Sequence, residues 1–492
     1  MIAKAWLLFC GMLILTISSA VVLRAAPEQT ELRSAAQLWA AGRTAEARQQ
    51  YLLLAEQEPP PSLVLVRLAT IGLQRGACPE AQAYAARALI HPGLRRDEAA
   101  QAHLVAGQCA ALSGATERAT AEWASLDPRS PYRRLADLLR AEQTLRDGNA
   151  ALALPIYQAA LAERGAGALA EPWTMLARFR LALLLAADDL AQARQQLATI
   201  PLPLAEPTPE TRPFLPLSSA ELTQQSLQLR AILDQPAAQR DQLLGQLLLK
   251  LGLYRLALAP LERASLGSPE RVALAQAQAA YARWQLGQRA AATSQLRELA
   301  SAAPDSPTVV TLYATAALES GQLDAADAAL QIAEARHPLD PALMLVRADL
   351  LLAQHEYARA ITELRRARDI AQPEQRGRYA LALAQQHLRL TYDLCGGGIT
   401  AAREAVTIAA ADPDAWQSLA AALYHCRAYA EAASAARSGL ALAPARADLD
   451  FFLGAALWAA GQRDEARPFL IAAIDRAPAS EWRVRAEQLL GW

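Results

Sequence analysis

From Arg33 onward apolar residues recur three and four positions apart, the spacing of one buried helix face, and glycine and proline cut these stretches at regular intervals. One phrase returns: an apolar-periodic stretch, a Gly turn, an Ala five residues later, then a second helix ending near Pro. Pro304 and Pro338 are 34 residues apart, as are Pro444 and Pro478, and Gly287 and Gly321 keep the same offset. The pattern predicts a helix hairpin repeated about every 34 residues. Small residues travel with it: Gly245, Ala257 and Ala264; Ala280 and Ala292; Ala314, Ala326 and Ala333; Ala348, Ala360 and Ala367. An Ala or Gly where two helices cross lets their backbones approach, while Leu fills the space to either side. Gly252, Gly287, Gly321 and Gly461 fall where a left-handed residue ends the first helix of a pair, and the following Pro stops the second.

This period and spacing resemble the tetratricopeptide repeat, a pair of antiparallel helices with small residues near unit positions 8, 20 and 27 and Pro near 32. The resemblance covers about nine tenths of the chain. It implies an all-α fold, a tetratricopeptide-like α-solenoid of about twelve helix hairpins that share one apolar core. Residues 28–200 form a first array and 237–478 a second, with a capping helix in 479–492. Between the arrays, residues 201–217 read PLPLAEPTPETRPFLPL, where six prolines in seventeen positions exclude a helix. An extra helix is expected over 218–236, with Ser218 or Ser219 as its cap. A second irregularity is Cys395-Gly396-Gly397-Gly398, which fits either a wide turn or a bend.

Composition narrows the function. Hydrophobic residues are 53% and aromatic residues 5%, and alanine is roughly a quarter of the chain, which favours helices over sheets and excludes disorder. The 48 Lys plus Arg against 49 Asp plus Glu leave a net charge of -1, with no basic field for nucleic acid. The six histidines are scattered, and His355-Glu356 lacks the second histidine of a zinc-protease motif. No glycine loop for phosphate and no nucleophile elbow is present. No two cysteines stand at the C-x-x-C spacing of zinc or iron-sulfur sites. Acid pairs such as Asp188-Asp189 and Asp412 with Asp414 fall at expected turns. The chain therefore reads as non-enzymatic, with no catalytic residue, metal or cofactor.

Ala5 to Leu23 is a nineteen-residue run without charge, flanked by Lys4 and Arg24. Two readings of residues 1–27 stand: an uncleaved signal anchor or a removed signal peptide. The first places the protein in the cell membrane, single-pass, with an extracytoplasmic C-terminal region; the second exports it. With the resemblance, this implies a membrane-anchored or exported bacterial member of the family. Outside that segment, Cys78 and Cys109 are 31 residues apart, and so are Cys395 and Cys426, close to one repeat. Either these pairs are disulfides or the four are ordinary buried thiols.

The resemblance also implies where a partner binds. Its first helices line the concave side, with positions near 2, 5, 9 and 12 facing a bound peptide. Here those positions give Tyr281 and Trp284, then Thr308, Thr311 and Thr315, then Tyr424, Phe451 and Trp458. The aromatic members either anchor a partner or fill space between helices. No repeated Lys or Arg track resembles the carboxylate-clamping members. The expected function is a protein-protein interaction scaffold at the cell envelope, binding a protein or peptide partner. The alternatives are an assembly factor of cytochrome-maturation, secretion or pilus type, and a non-catalytic subunit of a membrane enzyme complex.

Overall fold

The computed structural model describes residues 30–130, 132–162, 171–202, 214–217, 219–265, 269–444 and 446–492, and no strand occurs among them. The helices follow one another as hairpins: α1 (30–40) with α2 (Thr44–Ala55), α3 (Ser62–Gln74) with α4 (Cys78–Leu89), and α5 (Arg96–Leu112) with α6 (Thr116–Ala124). Next come α7 (Arg133–Arg146) with α8 (Ala150–Ala162), α9 (Glu171–Leu185) with α10 (Leu190–Ala198), and the solitary α11 (Ser219–Leu233). The pattern resumes with α12 (Ala237–Lys250) and α13 (Tyr254–Ala264), α14 (Pro269–Gln285) and α15 (Arg289–Ala302), then α16 (Pro307–Glu319) and α17 (Leu323–Arg336). It continues through α18 (Pro341–Ala353) with α19 (Tyr357–Ile370) and α20 (Pro373–Leu390) with α21 (Ile399–Ile408). The last hairpins are α22 (Pro413–His425) with α23 (Tyr429–Leu442) and α24 (Ala447–Ala459) with α25 (Arg463–Arg476), and α26 (Glu481–Leu490) ends the chain. The described residues thus form an all-α, tetratricopeptide-like solenoid of twelve hairpins with two additional helices. By contact they fall into two compact units, one holding 30–140, 214–216 and 477–485, the other 141–202, 217–476 and 486–492.

In ten of the twelve hairpins the turn between the paired helices holds a single left-handed residue; α9 and α10 are joined without one, and α20 and α21 through two. Gly321 has φ +73 with open space around it, and the Gln322 amide closes on the Ala317 carbonyl at 2.8 Å. His355 and Arg427 hold the same turn at φ 63 without glycine, a conformation that costs a side chain about 1 kcal/mol. The small-residue positions mark helix crossings. A Cβ added at Gly454 would meet the Leu470 backbone nitrogen at 3.0 Å, and one at Gly72 would meet the Ala81 backbone at 3.1 Å.

In the first unit, Trp39, Tyr51, Leu54, Val64 and Leu68 knit the first two hairpins together. In the second, one apolar cluster runs from Ala277 to Leu350 across α14 to α18, so each hairpin there buries its faces against its neighbours. Successive first helices touch one another, as α14 with α16, α16 with α18 and α22 with α24 do, whereas among the described residues successive second helices do so less. First helices therefore form the crowded inner layer and second helices the outer one.

Ala326 sits in the centre of that cluster, fully buried. Ala326→Trp is expected to overpack the α16–α17 crossing and lower stability by about 1–3 kcal/mol. Hydrogen exchange of α16 to α18 should accelerate, and unchanged protection would show that the crossing is not close-packed.

The single-pass membrane placement requires correction: among the described residues no helix is long and apolar enough to cross a membrane. Repeat helices of 9 to 18 residues that alternate buried and solvent-facing sides lack the continuous apolar length required. The apolar run Ala5–Leu23 and Cys10 lie outside the described residues, as do 203–213 of the proline-rich segment and Ser218. Cys395 to Gly398 form a wide turn: α20 ends at Leu390, Thr391 and Asp393 are left-handed, and a π-helical turn, Leu394–Gly398, leads directly into α21.

Candidate functional site

The inner layer of the second unit repeats one side-chain position on successive first helices. Tyr281 on α14, Thr315 on α16, Asp349 on α18 and Gln385 on α20 each directly follow a buried alanine, namely Ala280, Ala314, Ala348 and Ala384. The alanine faces the paired second helix, which turns the next side chain toward the inner surface. Tyr281 and Thr315 are half-buried, and Asp349 and Gln385 are exposed. The row is polar throughout, carrying a phenol, a hydroxyl, a carboxylate and an amide.

Its electrostatics follow from the crowding. The Gln285 side-chain amide donates to Tyr281 Oη at 2.8 Å, and burial raises the phenol above its usual pKa, with Glu319 on the next first helix adding to the rise. Surrounding protein also pushes the Asp349 carboxyl up, although its side chain meets solvent, the combination expected on a concave floor. Arg389 on α20 acts in the opposite direction. Among the described residues Asp349 makes neither an ion pair nor a hydrogen bond.

The sequence-predicted residues divide between this surface and the core. Tyr281 belongs to the polar row. Thr308, two turns before Thr315, is exposed and Thr311, one turn before it, is half-buried, with Thr311 Oγ1 donating to the Thr308 carbonyl at 2.9 Å. Trp284 is only 2% exposed; it stacks on Tyr281 with ring centroids 6.0 Å apart and carries the Arg289 guanidinium over its face at 4.8 Å. Phe451 is 3% exposed and packs edge-on against Phe452. Neither of these two side chains presents a surface to a partner: Trp284 packs between Tyr281 and Arg289, and Phe451 against Tyr424 and Phe452. Tyr424 is half-buried over the same aromatic cluster, 5.9 Å from Phe452. Trp458 is half-buried under Arg463, at 5.2 Å. On the same helix Asp450 is 2% exposed, and burial pushes its carboxyl up to about 6 against the opposing charge of Arg476.

No protein-family model and no curated relative matches the sequence. Among solved structures, the chain is similar to the yeast Tom70, at 13% identity over 87% of this chain and 96% of that one, with a TM-score of 0.36. It is similar to pilF of Pseudomonas aeruginosa at 18% identity, 45% and 99% coverage and a TM-score of 0.35. A third is YrrB, described as a TPR protein with an unusual peptide-binding site, at 16% identity, 39% and 97% coverage and a TM-score of 0.32. Likeness at this distance transfers no partner.

Two further features bear on the site. Cys78 is bonded to Cys109 and Cys395 to Cys426, with Cα atoms 5.3 Å and 5.5 Å apart. Each bridge runs to the first helix of the following hairpin: Cys78 at the start of α4 to Cys109 in α5, and Cys395 in the α20–α21 turn to Cys426 at the end of α22. Among the described residues no group of three or more His, Cys, Asp or Glu side chains is placed to hold a metal ion. Asp349, Gln385 and Arg389 were not among the sequence-predicted residues. The signal was there in the register, since Thr315 and Asp349 follow Tyr281 at steps of 34 and Gln385 follows at 36.

Proposed function

We propose that this chain is a non-catalytic, protein-binding scaffold whose inner layer receives an extended polypeptide segment. One observation carries the reading: a solvent-facing polar row, Tyr281, Thr315, Asp349 and Gln385, recurs once per hairpin on successive first helices, of which α14, α16 and α18 touch in turn. A ligand running across those helices meets one polar group per repeat and apolar surface between them, which gives a register and a direction without chemistry. The unpartnered Asp349 adds a preference for a basic side chain on the ligand at that step.

The test is positional. A photoreactive residue replacing Thr315 should crosslink one reproducible polypeptide, and the same residue replacing the exposed Ser434 on the outer layer should not. With the captured partner purified, Trp458→Ala is expected to weaken binding about tenfold while helicity is retained. Equal capture at both positions would remove the inner face from the proposal, and equal affinity would remove Trp458. Persistent recovery of one multi-subunit complex would mark the chain as an assembly factor rather than a general scaffold.

A further inference from the structure

On the outer layer, ion pairs link successive second helices in a fixed register. Arg403 on α21 donates to Glu431 on α23 at 2.7 Å, and Arg437 on α23 donates to Glu465 on α25 at 2.9 Å, each across 28 residues. The acceptor stands immediately before the buried small residue of its helix, Ala432 or Ala466, and the arginine five residues after the equivalent position of the preceding hairpin. The same register on α15 and α17 pairs Arg297, five residues after Ala292, with residue 325. That residue is alanine. The rung has its cation and lacks its carboxylate.

What replaces the rung is a groove of about 550 Å³ between α15 and α17, lined by Arg289, Thr293, Ser294, Arg297, Tyr313 and Ala325 among others, with no acidic side chain in its lining. Arg297 makes only a 3.4 Å contact to Ser294 Oγ, and Arg289 lies over the Trp284 ring; neither pairs with a carboxylate among the described residues. Tyr313, on the floor, is 5% exposed, and its hydroxyl makes no hydrogen bond among the described residues. The ring is buried but the hydroxyl reaches solvent at the groove, where it can donate to a group that enters. No side chain caps the first turn of α17, which opens beside Ala325.

We propose that this groove docks an acidic segment of a partner protein, one of whose carboxylates takes the seat that Glu431 and Glu465 fill elsewhere. The two arginines are eight residues apart on one helix, about 12 Å at 1.5 Å per residue. An extended strand advancing about 3.3 Å per residue spans that distance in three or four residues. The matching segment therefore carries two acidic side chains at that spacing, one for Arg297 and Tyr313 and one for Arg289. A single small anion cannot satisfy both cations at such a separation. This site is on the opposite layer from the polar row and stands independently of it.

The experiment uses the full chain and a fluorescein-labelled Gly/Ser peptide with two glutamates four residues apart, followed by fluorescence anisotropy. Ala325→Glu should restore the internal rung and weaken binding at least about tenfold, with an unchanged or raised melting temperature. Arg297→Gln should cause a loss of the same order. Tyr313→Phe, which removes only the hydroxyl, should weaken it about threefold to fivefold. A peptide with glutamine in place of both glutamates should not bind. The proposal is overturned if the two peptides bind alike, if Ala325→Glu leaves the affinity untouched, or if inorganic phosphate at the peptide's own concentration displaces it.

Discussion

Arg180→Met is expected to destabilise the second unit by about 3–5 kcal/mol, the range for stranding one member of a buried ion pair. Arg180 on α9 and Glu142 on α7 are 8% and 3% exposed, and the guanidinium grips the carboxylate through two nitrogens at 2.9 Å and 3.1 Å. Tyr157 on α8, completely buried, donates its hydroxyl to the same carboxylate at 2.6 Å. Burial, reinforced by the Glu142 charge, drives the phenol well above its usual pKa, and the same charge keeps the buried guanidinium protonated. Removing Arg180 leaves a carboxylate with no counter-charge in low dielectric. Replacing the whole set should be far milder: Glu142→Leu, Arg180→Met and Tyr157→Phe together are expected to fall within about 1–2 kcal/mol of the natural chain. In a repeat array the loss stays near the site, so hydrogen exchange of α7 to α9 is the measurement of choice. If the triple variant loses as much as the single one, packing volume rather than charge holds these helices.

The hairpins were legible because their punctuation is local. A glycine that must be left-handed and a small residue at a crossing leave a mark at a fixed offset, as Gly321 and Ala326 do. Where another residue adopts that turn, as His355 and Arg427 do, the mark vanishes although the geometry persists. The candidate site was less legible for a different reason. Register shows which face of a helix a residue occupies, but not how far the next helix covers it. The sequence therefore leaves Trp284 and Phe451 open between groove and core, and the structure buries both, while Tyr281 is half-buried. Asp349 stands in the same row with neither an aromatic ring nor a neighbouring run of like residues to mark it. The missing rung at Ala325 is an absence that becomes visible only once the Arg403–Glu431 and Arg437–Glu465 pairs have fixed the 28-residue step.

Reduction of both disulfides is expected to give the next largest loss, and to give it in order. Each bridge closes a loop of 31 residues, and restricting the unfolded chain over that length contributes about 3–4 kcal/mol. Their surroundings differ. Cys109 is completely buried within α5, whereas Cys395 is exposed in the turn before α21 and Cys426 is half-buried at the end of α22. A thiolate must reach a sulfur along the bond axis, so access sets the sequence of attack. Dilute dithiothreitol should first yield alkylatable Cys395 and Cys426, with faster hydrogen exchange in α20 to α22 and none of it in α3 to α5. Cys78 and Cys109 should follow only when the first unit opens. The turn that Cys395 tethers is also where non-glycine residues Thr391 and Asp393 are held left-handed, so the bridge restrains a segment with little conformational preference of its own. Peptide mass mapping after timed alkylation reads the order directly. Simultaneous release of all four thiols would mean that the two bridges open through one shared unfolding event, and that the hairpins between them do not loosen separately.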